Sequence, residues 1–530
     1  MISMKSPSCL SSFVTLCICY LFSSCASTQY DLIIRNGEVF DGNNTALKKM
    51  DIAIKDDKII QLAPHIIASA KKEIDASGLV IAPGFIDVHV HLEPLMLIPD
   101  AESHVRQGVT TAFGGLDGSS EFPLGAYMEG LDSLGIGLNV GYFIGHNTIR
   151  NHVMGMENRV PTIEELKEME NYVANAMQSG AFGLSTGLKY LPGAWAETDE
   201  VVALSKVAAS HGGIYASHMR EEGLGLIDAV KETIDIARLA DIPVIISHHK
   251  AIGKPSWGKC EESLALVDAA RAEGYDVMMD QYPYTASHTS LNVLIPPWAM
   301  EGGRYKAFAK RCEDPILRDS IKRGIVYNIL NDRGGGDLKR IQFSKFDWKP
   351  ELGGKTLYDW AIQENMEPNA ENGAELVIQA QLHRGAHAIY HAISPEDVKR
   401  IMQHPQAMVA SDGRISLIDK GHPHPRVYGT FPRVLGHYVR DKKVIPLELA
   451  LYKMTGLPAQ RMGLSDRGFI KEDYQADITI FDANSIKDKA TFENPNQYPV
   501  GIHYVLINGR VVLEKEKFNA LRAGKVLRRE

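Results

Sequence analysis

Short runs of alternating apolar and polar residues mark both ends of this chain, and a different texture fills the middle. From Tyr30 to about Val80 the runs YDLIIRNGEVFDG, MDIAIKDDKIIQL and KEIDASGLVIAPG follow one another, each bounded by Asn, Gly or Asp. Such runs predict antiparallel strands. The same texture returns in GFIKEDYQADITIFD and VGIHYVLINGRVVLE. The two segments, residues 30–80 and 465–515, are expected to combine into one small β-sandwich.

Between them, short apolar strands ending in polar residues alternate with helical patterns. The strand signals are FIDVHVH, VTTAFGG, GLNVGYFIGH, GAFGLSTG, GIYASHM, PVIISHH, YDVMMDQYPY and AMVASDG. Eight buried strands alternating with helices predict an α/β fold, a (β/α)8 barrel over residues 81–460, with its chemistry at the strand C-terminal ends. The stretch Ile163–Gln178 illustrates the connecting helices. Thr162 and Glu165 have capping-box spacing, Gly180 follows the end, and Leu166, Met169, Val173 and Met177 share one face, read as core.

A long excursion, about 294–387, separates the seventh and eighth strands and is rich in Gly, Pro and charge. A connection of that length carries structure of its own, and over a barrel mouth it is expected to form a lid or small inserted subdomain. Within it NDRGGGD, Asn331 to Asp337, reads as a flexible tip, because no strand-to-helix context of a phosphate-binding loop surrounds it.

Residues 1–25 are set apart from the fold. Lys5 precedes an apolar stretch from Cys9 to Phe22, which has signal-peptide length and is too short for a spanning helix. Leu21-Phe22-Ser23-Ser24-Cys25 resembles a bacterial lipobox, which would make Cys25 the lipidated start of a membrane-anchored lipoprotein. Ser24-Cys25-Ala26 also fits cleavage by ordinary signal peptidase. Both readings imply export, to the periplasm or to a lipid anchor at the membrane. Four of the six Cys lie in this leader, leaving Cys260 and Cys312, so no disulfide framework is expected.

Composition narrows the classes. At 45% hydrophobic and 23% charged the chain is neither disordered, collagen-like nor a polytopic membrane protein. Its net charge of -8, without a long basic run, argues against nucleic acid as a partner. These features do not specify an oligomeric state.

The polar residues at the strand ends carry the chemistry. His89 and His91 form an HxH pair, and residues two apart in a strand point to the same side. His218 ends the fifth strand, His248 the sixth and Asp412 the eighth, so four imidazoles and a carboxylate converge on one barrel mouth. That donor set suits Zn²⁺.

VIAPGFIDVHVH and the terminal NGR strand resemble the amidohydrolase superfamily. Within it FGLSTGLKYLPGAWAETDE, GGIYASHMREEG, ISHHKAIG, DQYPYTA, and SDG followed by HPRVYGTFPRVLGHYVR resemble the N-acyl-D-amino-acid deacylases, from about Tyr30 to Glu514. The resemblance implies a zinc enzyme that cleaves the amide of a small-molecule N-acylated D-amino acid, releasing a carboxylate and the free amino acid. One position departs from the pattern. The family's second strand ends in Gly-Asn-Cys-Gly, whose Cys ligates the tightly held zinc; here Gly115-Leu116-Asp117-Gly118 places Asp117 there. A carboxylate can take that place, with less selectivity for zinc than a thiolate.

Carried over position by position, Asp117, His218 and His248 would hold the main zinc, while His89, His91 and Asp412 would hold a second, looser ion. Asp412 would also be the general base, moving a proton from the attacking water to the leaving amine. Lys250, two residues beyond His248, would polarise the acyl oxygen. Arg426 of the HPR motif matches the α-carboxylate binder, with Tyr190 and Tyr282 as phenolic helpers.

Two rival functions remain in view. A cyclic amidase of the dihydroorotase or hydantoinase type would share the barrel but resembles its relatives in a carboxylated Lys ending strand four, where this chain has Gly183-Leu184-Ser185-Thr186-Gly187, with Lys189 beyond. A non-catalytic lipid-anchored binding protein on a decayed barrel is opposed by the retained His and Asp set. Two further motifs fall short. Gly253 to Cys260 has P-loop spacing but lacks the Ser or Thr that holds Mg²⁺. Ser185 has no nucleophile-elbow motif.

Overall fold

The computed structural model describes residues 1–4 and 29–529. The leader, with its Cys25, falls almost wholly outside the described residues.

Strands from both chain ends share one nine-stranded sheet. Val80–Pro83 pairs antiparallel with Ile478–Phe481, so the end of the first segment is hydrogen-bonded directly to the start of the last. Alternation buries apolar residues on both faces: Leu32, Ile34, Ile52, Ile478 and Ile480 on one, Ile33 and Ala53 on the other, where Tyr30 and Ile66 pack against them.

The middle of the chain supplies eight parallel strands, here β1 (Phe85–Asp87), β2 (Val109–Gly114), β3 (Asn139–Tyr142), β4 (Gly183–Gly187), β5 (Ile214–His218), β6 (Val244–Ile246), β7 (Val277–Gln281) and β8 (Ala407–Val409). Ladders run β1-β2-β3 and β4 through β8. Phe182 N–H to Tyr142 O, 2.8 Å, links β3 to β4. Beyond β8, Asp412 N–H donates to His89 O at 2.8 Å, and Gly413–Arg414 pairs in parallel with Val90–His91. All eight signals read from the sequence are therefore strands, arranged in chain order. Their side chains sort by the two-residue period: Phe113, Phe182, Ala216, Ile245, Met278 and Met408 fill the interior, while Val244, Ile246, Val277 and Met279 face the helices.

The helix Ile163–Gln178 starts on the expected capping box, with Thr162 and Glu165 bonded reciprocally, and buries Met169, Val173 and Met177. Between β7 and β8 the chain builds a separate body. Ser287–Ser290, His387–Tyr390 and Ile341–Lys345 form an antiparallel sheet, packed with helices Pro315–Asn331 and Ala370–Leu382 over a core of its own. One expectation fails here. Asn331 to Asp337 is not a flexible tip: Asp332, Arg333 and Gly334 are buried, because the loop turns inward and sends Arg333 toward the barrel.

Away from the mouth, helices His146–Met154 and Thr198–Ser210 are joined by a buried cluster. Glu200 accepts from His146 Nε2 at 2.8 Å and pairs with Arg150, whose side chain is fully buried. Breaking a buried ion pair from one side typically costs about 3–5 kcal/mol. Arg150→Met should accordingly lose about 3 kcal/mol in chemical denaturation; a loss under about 1 kcal/mol would show that His146 alone satisfies Glu200.

Candidate metal centre

Each candidate ligand leaves the C-terminal end of a barrel strand. β1 stops at Asp87 and pairing resumes at Val90–His91, so the chain kinks at Val88–His89 and both His89 and His91 are presented at the mouth. Asp117 lies in the turn after β2, between glycines with positive φ at 115 and 118. A Cβ on Gly115 would lie 2.0 Å from Phe143 O, and one on Gly118 2.6 Å from Gly187 N, so this turn admits only glycine at both positions. Ser185 of β4 clamps it, donating to Gly115 O at 2.5 Å and accepting from Gly118 N–H at 3.2 Å. That is the role of Ser185: a brace, with no nucleophilic arrangement around it.

The donor atoms fall into two groups that share a member. His89, His91, Asp117 and Asp412 form one; Asp117, His218 and His248 form the other. Asp117 Oδ1 lies 3.2 Å from His248 Nε2, 3.5 Å from His218 Nδ1 and 3.4 Å from His89 Nε2, while Oδ2 faces His91 Nε2 at 3.8 Å. His91 Nε2 and Asp412 Oδ1 are 3.2 Å apart.

The residues present fit a divalent ion. His248 Nε2 and His218 Nδ1 approach to 2.7 Å with the same carboxylate oxygen beside them, and His89 Nε2 is buried without a hydrogen-bond partner. Lone pairs crowded in this way are relieved by a cation. Cys260 and Cys312 take no part in either group, so the set is all nitrogen and oxygen.

Backbone and charge both show a prepared site. Asp117, His248 and Asp412 have φ of 55°, 37° and 49°, a region L-residues seldom occupy and one that costs on the order of 1 kcal/mol or more each. Burial works against ionising Asp117, yet His89, His248 and His218 around it hold its carboxyl well below the usual range. Asp412 is likewise buried and held low, by Arg426, His91 and His89. Burial opposes protonation of His91, but Glu93 and Asp412 raise it to about 10, so metal binding to that group competes with a proton.

Around this centre opens a cavity of about 1200 Å³ between the barrel mouth and the inserted body. The other residues singled out in the sequence line it. Arg426 is buried, donates from Nη1 to Asp412 Oδ2 at 2.7 Å, and stacks its guanidinium 4.9 Å from the Tyr282 ring. The Tyr282 hydroxyl is buried without a partner. The Tyr190 ring lies 4.5 Å from that of His218, and its hydroxyl accepts from Thr289 at 3.1 Å.

The Lys250 ammonium donates to Glu222 and to His248 O at 3.0 Å and lies 2.8 Å from His248 Nδ1, so two of its three N–H groups are engaged next to His248. Lys189, the nearest lysine to the end of β4, pairs with Glu221 at 2.7 Å and belongs to neither donor group.

Three residues at the site carried no assignment in the sequence reading. Glu222 lies beside His218 and His248, Arg333 reaches Glu222 from the inserted body at 3.3 Å, and Asp280 on β7 accepts the His248 N–H at 2.7 Å. Glu222 falls four residues after His218 in a quoted motif, which was the available signal; Arg333 lies 111 residues from Glu222 and had none.

Fold and site together define a metal-dependent hydrolase of the barrel type, and comparison with known proteins names the family. The chain matches the amidohydrolase family model over residues 72–313 and 358–513, and it belongs to that family. It is 36% identical over 527 residues to D-aminoacylase of Alcaligenes xylosoxydans xylosoxydans, covering 95% of this chain and 98% of that one. A crystal structure of D-aminoacylase superposes with a TM-score of 0.81 at 34% identity, over 94% of this chain and all of the other. The N-acyl-D-glutamate deacylase of Bordetella bronchiseptica, solved with zinc and a phosphonate mimic of the tetrahedral intermediate, gives 0.80 at 32% identity, over 94% and 99%.

Because Asp117 belongs to both donor groups, losing it should empty both. Asp117→Ala is expected to reduce bound zinc, measured by elemental analysis after dialysis, to under a tenth of wild type. Retention of full zinc stoichiometry would show that the histidines and Asp412 suffice.

Proposed function

We propose that this chain is a zinc-dependent N-acyl-D-amino-acid deacylase. The observation that carries the reading is the juxtaposition of a shared two-group donor set with a buried guanidinium: Arg426 lies 2.7 Å from Asp412, at the wall of the same cavity. A hydrolase of simple amides needs only the first; a fixed, planar cation beside the reacting centre fits a substrate that carries a carboxylate next to its amide. The relatives support the D configuration.

The residues divide the work as follows. Asp117, His218 and His248 would hold one zinc ion, with His89, His91 and Asp412 beside it for a second. Zinc, when bound, acidifies water and polarises a carbonyl. Asp412, kept ionised by Arg426 and His91, accepts a proton from the attacking water and delivers it to the amide nitrogen as the C–N bond breaks. The water oxygen ends in the new carboxylate, and the amine leaves as the free D-amino acid. Arg426 has further N–H donors besides the one on Asp412, and these anchor the α-carboxylate. The unpartnered Tyr282 hydroxyl donates to a substrate oxygen. Lys250 is engaged by Glu222 and by the His248 carbonyl. The cyclic-amidase reading loses support from Lys189, which is engaged with Glu221. Export, resting on the apolar stretch Cys9–Phe22, stays part of the proposal.

A screen of N-acetyl-D- and N-acetyl-L-amino acids, with zinc supplied or chelated, tests the reading. Turnover of D substrates that chelation abolishes is expected; hydrolysis of cyclic amides alone, or none of either, would contradict it. Arg426 gives a sharper test. Losing a bidentate, charge-assisted contact typically costs about 2 to 5 kcal/mol, or roughly two to three orders of magnitude in kcat/KM. Arg426→Ala also removes the partner of Asp412, so the informative quantity is the ratio of acid to methyl-amide substrate within each protein, in which that loss cancels. The ratio should be large in wild type and close to one in the variant. Equal ratios would show that another residue reads the carboxylate.

A further inference from the structure

Each of the two histidines His218 and His248 has one ring nitrogen toward Asp117 and the other toward a single carboxylate. His248 turns Nε2 to Asp117 and Nδ1 to Glu222, the latter at 3.0 Å. His218 turns Nδ1 to Asp117, while its Nε2 lies 3.7 Å from the other Glu222 oxygen, beyond hydrogen-bond distance and without a partner. Glu222 is 1% exposed, so its charge is answered by protein alone. Two cations do so: Lys250 on Oε1, and on Oε2, at 3.3 Å, Arg333 of the inserted body. Arg333 is itself 1% exposed and stacks over Tyr390 of the inserted sheet, 5.8 Å from the ring centre. Neither Glu222 nor Arg333 belongs to a donor group.

We propose that Glu222 is the positioning residue for His248, and that Arg333, delivered by the inserted body, holds Glu222 in place. The inference rests on the metal-site reading above and adds the element that aims the His248 imidazole. A histidine binds a metal through one nitrogen in an orientation set by what the other contacts, and a carboxylate there fixes both tautomer and ring angle. Removing Glu222 frees the His248 ring and leaves Lys250 beside it without its counter-charge. Removing Arg333 leaves the Lys250 contact but unpins the oxygen that faces His218. The inserted segment is thereby part of the metal site's framework as well as a wall of the substrate cavity. His89 and His91 lie outside Glu222's reach, so the effect belongs to one donor group.

Zinc affinity of the full chain, measured by competition with a chromogenic chelator, reads this without any assay of turnover. Glu222→Gln should weaken the tighter zinc by about 10- to 100-fold, the range for loss of a partner behind a metal ligand, and change the looser equivalent far less. Arg333→Gln should weaken it by roughly tenfold, and add little when combined with Glu222→Gln, because it acts through that residue. A Glu222→Gln protein with wild-type zinc affinity, or additive losses in the double variant, would overturn the proposal. Should Glu222→Gln fail to fold, Arg333→Gln decides alone: weakened zinc supports the proposal and unchanged zinc overturns it. Wild type that binds no zinc would instead remove the metal site, and this inference with it.

Discussion

Four carboxylates lie out of water at the mouth of this barrel: Asp117, Glu222, Asp280 and Asp412. An ionised group buried without partners costs several kcal/mol, so none of them can be understood alone. Asp412 faces Arg426 and His91, Glu222 faces Lys250 and Arg333, and Asp280 takes the His248 N–H. Asp117 has imidazoles around it and no Lys or Arg paired with it, which is why a divalent cation fits beside it. The positive groups follow from the carboxylates, and the carboxylates from the ligands they orient.

The frame that supports this charge is the barrel itself. Strand ends deliver the side chains, while local backbone irregularity aims them: the break in the strand at Val88–His89, the glycine-bounded turn at Asp117, and positive φ at His248 and Asp412. Such conformations persist only where surrounding contacts over-determine them. Ser185 bracing the Asp117 turn and Asp87 accepting the Ser411 N–H at 2.9 Å are contacts of that kind. Stability given up locally becomes a site that is ordered before a ligand arrives.

How much of this could be read from the chain depends on the range of the interactions. The eight strands were legible because a two-residue period and a polar terminus are local signals, and His89, His91, His218, His248 and Asp412 were legible because each ends one of them. Asp117 could be singled out only by resemblance, since a lone Asp in a glycine turn is otherwise ordinary. Glu222 and Arg333 escaped for different reasons. Glu222 follows Glu221, and paired acids after a strand look like a solvated loop until a cation is found for them. Arg333 lies among glycines that suggest mobility, and its burial depends on a partner on a different body of the protein. Lys250 follows the same strand end as His248, but its pairing with Glu222 could not be read from the chain.

Anomalous diffraction at the zinc edge, from crystals of the zinc-loaded protein, tests the central assignment most directly. The expected result is a strong peak within bonding distance of Asp117, His218 and His248, with Glu222 still against the far nitrogen of His248. A peak elsewhere, or a zinc ion that leaves Asp117 outside its coordination, would contradict the assignment of that carboxylate as the ligand on which the centre is built.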